Sequence, residues 1–317
     1  MIRYLYLLTI MMAAPAFAQQ SIMMIEVVKK EITPPTINTQ PKKKIFKEVY
    51  FAWGYNRSTH SKTDVQFTTA DGTFTIHDAV GKDRPSPFSP EVYFKPSNIS
   101  IPQYNAELGA QINDHWGIEL KQDHMKYVFD SRRPYLITGD YRRKVVIKND
   151  QPTNQWDEEI PVDFSVVKNK KDATWLSFDH TNGYNYVSAG ATYNQNLLQS
   201  KNKKHKIDAR LGAGMGLMIP KTQVSFHQDQ RWNYHGLDNR FHIAGGGVHA
   251  EMKIRITVFR NFFMQATSRG TLIKVSDALI DGTDARLEHL QPIASVQWMG
   301  QVGYVHVFRK KNSCTYR

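Results

Sequence analysis

The sequence predicts an all-β chain that closes into an antiparallel up-and-down barrel of about eight strands, and three observations carry that prediction. Apolar and polar residues alternate with period two over long stretches. No comparable stretch shows the 3.6-residue period of an amphipathic helix. Long and short connections follow one another in turn, which gathers every long connection at one end of the barrel. Composition agrees. The 317 residues carry 41 Lys+Arg against 29 Asp+Glu, a net +12, and 12% are aromatic. That aromatic content argues against disorder. One N-terminal stretch alone approaches the apolar length of a helical span, which excludes a polytopic helical membrane protein. Cys314 is the single cysteine, so neither an internal disulfide nor a thiolate zinc cluster can form.

In chain order, residues 1–18 read as an export signal peptide. Arg3 and the amino terminus give a positive start, Leu5 to Met12 an apolar run, and Ala16-Phe17-Ala18 a small-residue cleavage site. The run is short for a membrane anchor. Residues 19–45 form a Pro/Lys-rich tail, with Pro34-Pro35, Pro41 and Lys42-Lys43-Lys44, expected to be periplasmic. Residues 46–308 hold the barrel, and 309–317 are a basic C-terminal tail.

The alternation places strands at 46–57, 100–112, 116–129, 184–198, 206–220, 244–258, 262–275 and 291–308. Val49, Phe51, Trp53 and Tyr55 face one way in the first. Tyr104, Ala106, Leu108 and Ala110 do so in the second, and Trp116, Ile118 and Leu120 in the third. Val187, Ala189 and Tyr193 follow, then Leu211, Met215 and Leu217, then Val248, Met252 and Ile256. Met264 and Ala266 mark a weaker seventh strand. The eighth sets Val296, Trp298, Val302 and Tyr304 against Gln297 and Gln301, and its pattern breaks at His306 on the apolar side and at Met299, Val305 and Val307 on the polar one. Asn113-Asp114-His115, Asn202 to His205 and Arg260-Asn261 suit tight polar turns.

Alternation alone does not say which face is inside. A soluble lipocalin-like barrel holding a small ligand has the same period. Three features favour a membrane barrel. The apolar faces are long enough for a band of about 25 Å. Trp53, Tyr55, Trp116, Tyr193, Phe262, Tyr304 and Phe308 gather near strand ends, as interfacial girdles do. The opposite faces carry charges of both signs. Leader, strand pattern and loop alternation over 46–308 resemble the small eight-stranded outer-membrane barrels of Gram-negative bacteria. The resemblance implies a Gram-negative outer-membrane location with both termini periplasmic. Asp123-His124-Met125-Lys126-Tyr127-Val128 and Phe178-Asp179-His180-Thr181-Asn182-Gly183 look like segments of poorly characterised envelope barrels, from which no function carries over. Such barrels commonly end on an aromatic residue, whereas Arg309 to Arg317 follow Phe308 here, leaving Phe308 or Tyr316 as the terminal aromatic.

Glu107, Glu119, Lys121, Asp123, Asp208, Arg210, His249, Glu251, Lys253, Arg255 and Arg269 all fall on the non-lipid face. Eight strands leave an interior just wide enough for side chains, so these charges are expected to pair into a plug. Gly212, Gly214 and Gly216 alternate on that face and make room for them. An open porin needs about twice as many strands.

Candidates for catalysis lie near the outer rim. Asp123, His124, Ser177, Asp179 and His180 could supply a nucleophile, base and acid for an acyl hydrolase acting on lipid A. No G-x-S-x-G elbow frames them. His227, His235, His242 and His249 lack a helical H-x-x-x-H setting, and Asp281-Gly282-Thr283-Asp284 lacks the other EF-hand ligands. No metal, cofactor or nucleic acid is expected. The loops over 58–99 and 130–183 carry the expected specificity for an extracellular ligand. Val65–Thr69 and Thr73–Ile76 around Asp71-Gly72 form a hairpin signal, Tyr141 to Asn149 a further strand, and either could raise the barrel to ten strands. The expected role is binding or structural, toward outer-membrane lipid and lipopolysaccharide.

Overall fold

The computed structural model describes residues 45–69, 72–98, 101–131, 133, 135–146, 152–160, 164–165, 176–226, 241–280 and 285–308, with the backbone alone for 140–146, 152–160, 164–165 and 225–226. The expected leader and both tails lie outside the described residues, apart from Ile45. So do Tyr316, Asp71, His227, His235 and Asp281-Gly282-Thr283-Asp284.

Eight strands form a closed barrel. They are β1 (Glu48–His60), β2 (Tyr104–Gln111), β3 (Trp116–Met125), β4 (Tyr184–Gln199), β5 (Lys206–Pro220), β6 (Gly245–Val258), β7 (Phe262–Val275) and β8 (Ile293–Val307). Each pairs antiparallel with the next, and β1 closes onto β8 from Glu48↔Val307 to His60↔Ser295. Closure leaves no strand edge, the condition a sheet must meet to sit in lipid. The strands at 63–69, 72–79 and 136–146 stay out of this ring, so the strand count is eight.

Short turns join β2–β3, β4–β5 and β6–β7 at one end. Asn113 accepts from the amides of His115 and Trp116 at 2.9 and 2.8 Å, and Asn202 from that of Lys204 at 3.0 Å. Phe259 and Arg260 take φ of 51° and 73° to reverse the chain in the space available.

The wall is inverted relative to a soluble barrel. Leu120, Leu211, Met215, Met252, Met264 and Val302 are each more than half exposed on the outside, while Glu107, Lys121, Arg210, Lys253, Arg255 and Arg269 are buried inside. A lipocalin-like barrel requires the reverse, so the soluble alternative fails here. Outward apolar positions on β6 run from Val248 to Ile256. At about 3.4 Å per residue and about 40° of tilt, that stretch covers about 21 Å of membrane. Aromatic residues edge the band. Trp116–Tyr193 and Phe262–Tyr304 pair at 5.3 and 5.5 Å toward the short turns, with Trp53, Tyr55 and Trp298 nearer the long connections. Of the four pattern breaks in β8, Met299 and Val305 are inward residues, whereas His306 and Val307 are both exposed at the end of the strand. Val305 joins Tyr50, Ala52 and Phe263 in a small apolar cluster inside the barrel, and Met299 is buried.

The long connections fold into a cap. One sheet orders strands 164–165, 136–146, 72–79, 63–69, 286–289 and 278–279, with 152–160 added beside 136–146. A second orders 223–226, 176–179, 128–129 and 81–82. Phe67 stacks on Phe74 at 4.9 Å and Phe129 on Phe178 at 4.7 Å, and Phe67 meets Phe178 edge-on. This core continues into the barrel mouth through Met125, Tyr184, Tyr186, Met218 and Ile273. The main apolar core therefore lies above the barrel, not in it.

Candidate functional site

Three places collect functional chemistry: the lumen, the junction between lumen and cap, and the outer rim. The lumen exists as an ionic site because period two sends every second residue of each strand inward, and those positions carry charge. Lys253 on β6 reaches Glu107 on β2 at 2.8 Å, Glu119 on β3 at 2.7 Å and its own strand's Glu251 at 3.1 Å. Lys121 on β3 pairs with Glu119 at 2.6 Å and with Glu251 across the barrel. Arg269 on β7 holds Glu251 at 2.9 Å and also Asp123 on β3. Strands β6 and β7 lie on the opposite wall from β2 and β3, so these contacts tie wall to wall.

Nearer the short turns, Arg210 meets Glu48 at 3.2 Å, and Lys206 meets Glu48 and Asp208 at 3.7 and 3.2 Å. Arg255 donates to Gln265 at 2.8 Å and lies 3.8 Å from the Tyr50 ring centre and 4.0 Å from that of Phe263. Tyr50 donates to Glu119. Six carboxylates (Glu48, Glu107, Glu119, Asp123, Asp208, Glu251) thus face six cations (Lys121, Lys206, Arg210, Lys253, Arg255, Arg269). Charge balance of this kind is what burial of so many ions demands. The expected interior residues converge in this network, except that His249 takes a place beside Tyr186, whose hydroxyl lies 3.3 Å from its Nδ1. Glu48, Lys206 and Tyr50 join them without having been singled out. Glu48 and Tyr50 already stood on the inward phase of β1, the signal that would have found them. A Cβ on Gly212 would stand 2.7 Å from the Glu251 carboxylate, so the glycine does make room for the network.

At the junction, His60 from the end of β1, Tyr127, His180, Tyr184 and His289 pack together, all but His60 fully buried. The Nε2 atoms of His180 and His289 lie 3.3 Å apart, and His180 Nδ1 lies 2.9 Å from the Thr222 hydroxyl. His60 Nδ1 faces Ser295 at 2.8 Å. Burial pushes His180 down to about 3, with His60 adding to the effect. Burial likewise holds His289 well below the ordinary histidine range, with His180, His60 and Lys274 contributing. Both rings are neutral at pH 7. One donates to the other, because two bare nitrogens at that distance would repel.

The rim candidates for catalysis separate. Asp123 points inward to Arg269. His124 points outward, stacked on Tyr104 at 5.2 Å with Nδ1 2.8 Å from Asn185 Oδ1. Asp179 accepts from the amide and hydroxyl of Thr181 at 3.0 and 2.6 Å, which shapes its turn. Ser177 lies in a cap strand opposite Ser225. His180 contacts Thr222 and His289. No carboxylate orients either histidine in these contacts, and the structure does not assemble a nucleophile, base and acid from them. Among the described residues no group of three or more His, Cys, Asp or Glu is placed to hold a metal ion.

No family model matches the chain, and no curated protein does. Solved structures do. The chain is similar to small outer-membrane barrels. Outer membrane protein AlkL, solved by solid-state NMR in lipid bilayers, matches with 7% identity and TM-score 0.37, over 92% of this chain and 100% of that one. The outer membrane protein OprG from Pseudomonas aeruginosa matches with 10% identity and TM-score 0.33, over 83% and 97%. Ail, the attachment invasion locus protein of Yersinia pestis, matches with 13% identity and TM-score 0.31, over 82% and 99%. Identities and scores are low throughout, and the fold rests on the chain's own strand pairing.

Proposed function

We propose that the chain is an integral outer-membrane protein of a Gram-negative envelope whose barrel is plugged and whose cap is a binding or structural surface on the cell exterior. The observation that carries this reading is the wall-to-wall ionic network centred on Lys253, roofed by the apolar core around Phe67 and Phe178. An ion that passes a pore must keep its water shell or trade it for protein groups free to solvate it. Here the lumen's charges are spent on each other, and the route outward is closed by packed rings. Burial of this sort serves cohesion and not transport. The cap is large for a loop region, since ordinary connections need about 4–6 residues. Ordered loop mass on a rigid scaffold usually carries recognition.

Planar-bilayer recording of the purified protein tests the plug: the expected result is no large, stable conductance. Outer-membrane fractionation with heat-modifiable gel mobility tests the location, and a soluble periplasmic fraction would end the reading. Lipid A from cells with and without the protein, compared by mass spectrometry, separates this role from an acyl hydrolase. A change in acyl chains that His124→Ala or His180→Ala abolishes would replace the binding role with catalysis.

A further inference from the structure

The contacts inside the barrel divide its charges into two unequal groups. Around Lys253, three cations (Lys121, Lys253, Arg269) hold four carboxylates (Glu107, Glu119, Asp123, Glu251). Nearer the short turns, Lys206, Arg210 and Arg255 stand with two, Glu48 and Asp208. Six against six balances the lumen as a whole, yet the group nearer the short turns carries one positive charge in excess.

That excess falls on two arginines. Arg210 and Arg255 are 0% and 1% exposed. They are diagonal neighbours on β5 and β6, since Arg210 is in register with Lys253 and Asp208 with Arg255. Long side chains span such a diagonal. Both guanidiniums lie against one ring, Arg210 5.1 Å and Arg255 3.8 Å from the centre of Tyr50. Like charges this close and this deep repel strongly. Their donors are only partly used. Glu48 accepts from Nη2 of Arg210 at 3.2 Å, and Gln265 accepts from Nε of Arg255 at 2.8 Å. Nε and Nη1 of Arg210, and Nη1 and Nη2 of Arg255, have no hydrogen-bond acceptor among the described residues. Glu107 Oε1 is 3.6 Å from Arg255 Nη2, beyond hydrogen-bond reach. Even granting that pair, three buried guanidinium nitrogens remain. Asp208 is engaged by Lys206 at 3.2 Å and Asn196 at 3.0 Å. A buried donor without an acceptor is costly, and more so when it is charged.

The approach to the pair is cationic as well. A cavity of about 850 Å³ opens at the short-turn end, lined by Glu48, Lys203, Lys206, Thr257, Arg260 and His306 among others. Three lysine and arginine charges against one carboxylate draw anions toward this mouth. Thr257 faces inward on β6, on the same face as Arg255, and its buried hydroxyl also has no partner among the described residues. It links the mouth to the arginines.

We infer that a small monovalent anion of chloride's size binds between Arg210 and Arg255, entering from the short-turn mouth, with the Thr257 hydroxyl as a further donor. One negative charge matches the one positive charge in excess. A single-atom ion accepts from several sides at once, which suits donors that converge from two strands. Beyond the arginines the Lys253 network closes the lumen, so the site is a dead end and offers no path for conduction. The inference rests on the closed lumen proposed above and is independent of the role of the cap.

The test uses the full chain refolded into phosphatidylcholine vesicles and unfolded in urea, with sodium chloride replaced stepwise by sodium gluconate at constant ionic strength. Raising chloride from about 1 mM to about 100 mM should lower the unfolding equilibrium constant at least tenfold, as one site with a Kd of about 10 mM or tighter requires. Sodium bromide should act as the chloride does. Arg255→Met, whose side chain still fills the space beside Tyr50 and Phe263, should cut the effect to less than twofold. Should that variant not fold, crystals of the unaltered protein grown in bromide decide the matter. An anomalous peak is expected within hydrogen-bond reach of both guanidiniums. Stability indifferent to chloride, a chloride effect unchanged in Arg255→Met, or bromide on the outer surface alone (an adventitious ion only) would overturn the site. Those outcomes leave the closed lumen standing. A large, stable conductance in planar bilayers would instead reject the closed lumen itself.

Discussion

Lys253→Met is the most informative single change in the lumen. Lys253 is fully buried with its ammonium within 3.1 Å of three carboxylates, Glu107, Glu119 and Glu251. Methionine keeps much of the volume and removes the charge, leaving six carboxylates against five cations. Breaking a buried pair by removing one partner costs about 3–5 kcal/mol, because the survivor stays buried and uncompensated. Here three survivors share the loss, and Lys121 and Arg269 already serve two of them, so the upper half of that range, about 4–5 kcal/mol, is expected. Lys206 is the control. It pairs with Glu48 and Asp208 at the mouth, but its side chain is 23% exposed, and Lys206→Met should cost about 1 kcal/mol or less. Adding Glu119→Gln to Lys253→Met restores the balance, and the amide oxygen that replaces the carboxylate can still accept from Tyr50, so at least about 2 kcal/mol should return. Equilibrium urea unfolding of barrels refolded into vesicles, followed by tryptophan fluorescence and gel mobility, measures all three. A Lys253→Met cost no larger than that of Lys206→Met would refute the reasoning, since only a well-hydrated lumen could screen the charges so thoroughly.

The remaining predictions concern the cap and the packing of the wall. His180 is neutral in the fold, pushed down to about 3, while its unfolded pKa is about 6.5. Its depressed value means the unfolded chain binds the proton first, so cap stability is intact above about pH 6.5 and declines as pH falls toward about 3. The slope is about 1.4 kcal/mol per pH unit, or about 2 kcal/mol at pH 5. Hydrogen exchange of cap amides, corrected for intrinsic rates, should show this loss, and a cap equally protected at pH 7 and pH 5 would contradict it. Phe178→Ala removes a ring shared by Phe67, Phe129 and Tyr127 and should cost the cap about 3–5 kcal/mol while barrel mobility on gels persists. Gly212→Leu drives a side chain into Glu251 and should prevent folding into vesicles, whereas Leu211→Ile, which faces lipid, should cost less than about 1.5 kcal/mol.

Most of the barrel is legible in the sequence because period two is a local signal that every wall residue repeats. Strand ranges such as 206–220 and 262–275 coincide with the observed ones. The interior residues are legible for the same reason: once one face is assigned to lipid, the charges on the other have nowhere to go but inward. The errors are equally local in origin. Val305 and Met299 look like pattern breaks because an inward apolar residue cannot be told from a slipped register without its neighbours, Tyr50 and Phe263. His180 reads as a rim residue because its segment is short, and nothing in the chain signals that His289, far away in sequence, meets it, or that His60 packs on the same Tyr127 and Tyr184. A groove beside Pro85 to Phe94 is invisible for a further reason. It depends on where β1 and β2 stop pairing, a fact about register that the proline-rich segment Pro85 to Pro90 does not encode by itself.

The two halves of this molecule are stabilised by opposite means, and that follows from their solvents. A barrel wall in lipid gains nothing by burying apolar residues inside, since its outer face already meets hydrocarbon. Cohesion across the lumen must then come from polar contacts, strong in a dry interior if every charge is matched. The cap meets water and has to bury Phe67, Phe74, Phe129 and Phe178 to hold together. The junction between these regimes is where His60, Tyr127, His180, Tyr184 and His289 sit, groups with an apolar ring and a polar edge. They can pack upward against phenylalanine and hydrogen-bond downward toward Ser295 or sideways to Thr222. That dual character lets one continuous chain pass from an ionic interior to an apolar one within a few ångströms. It also makes the junction the part of the described fold most sensitive to protons, because its histidines are buried without a carboxylate to share an added charge.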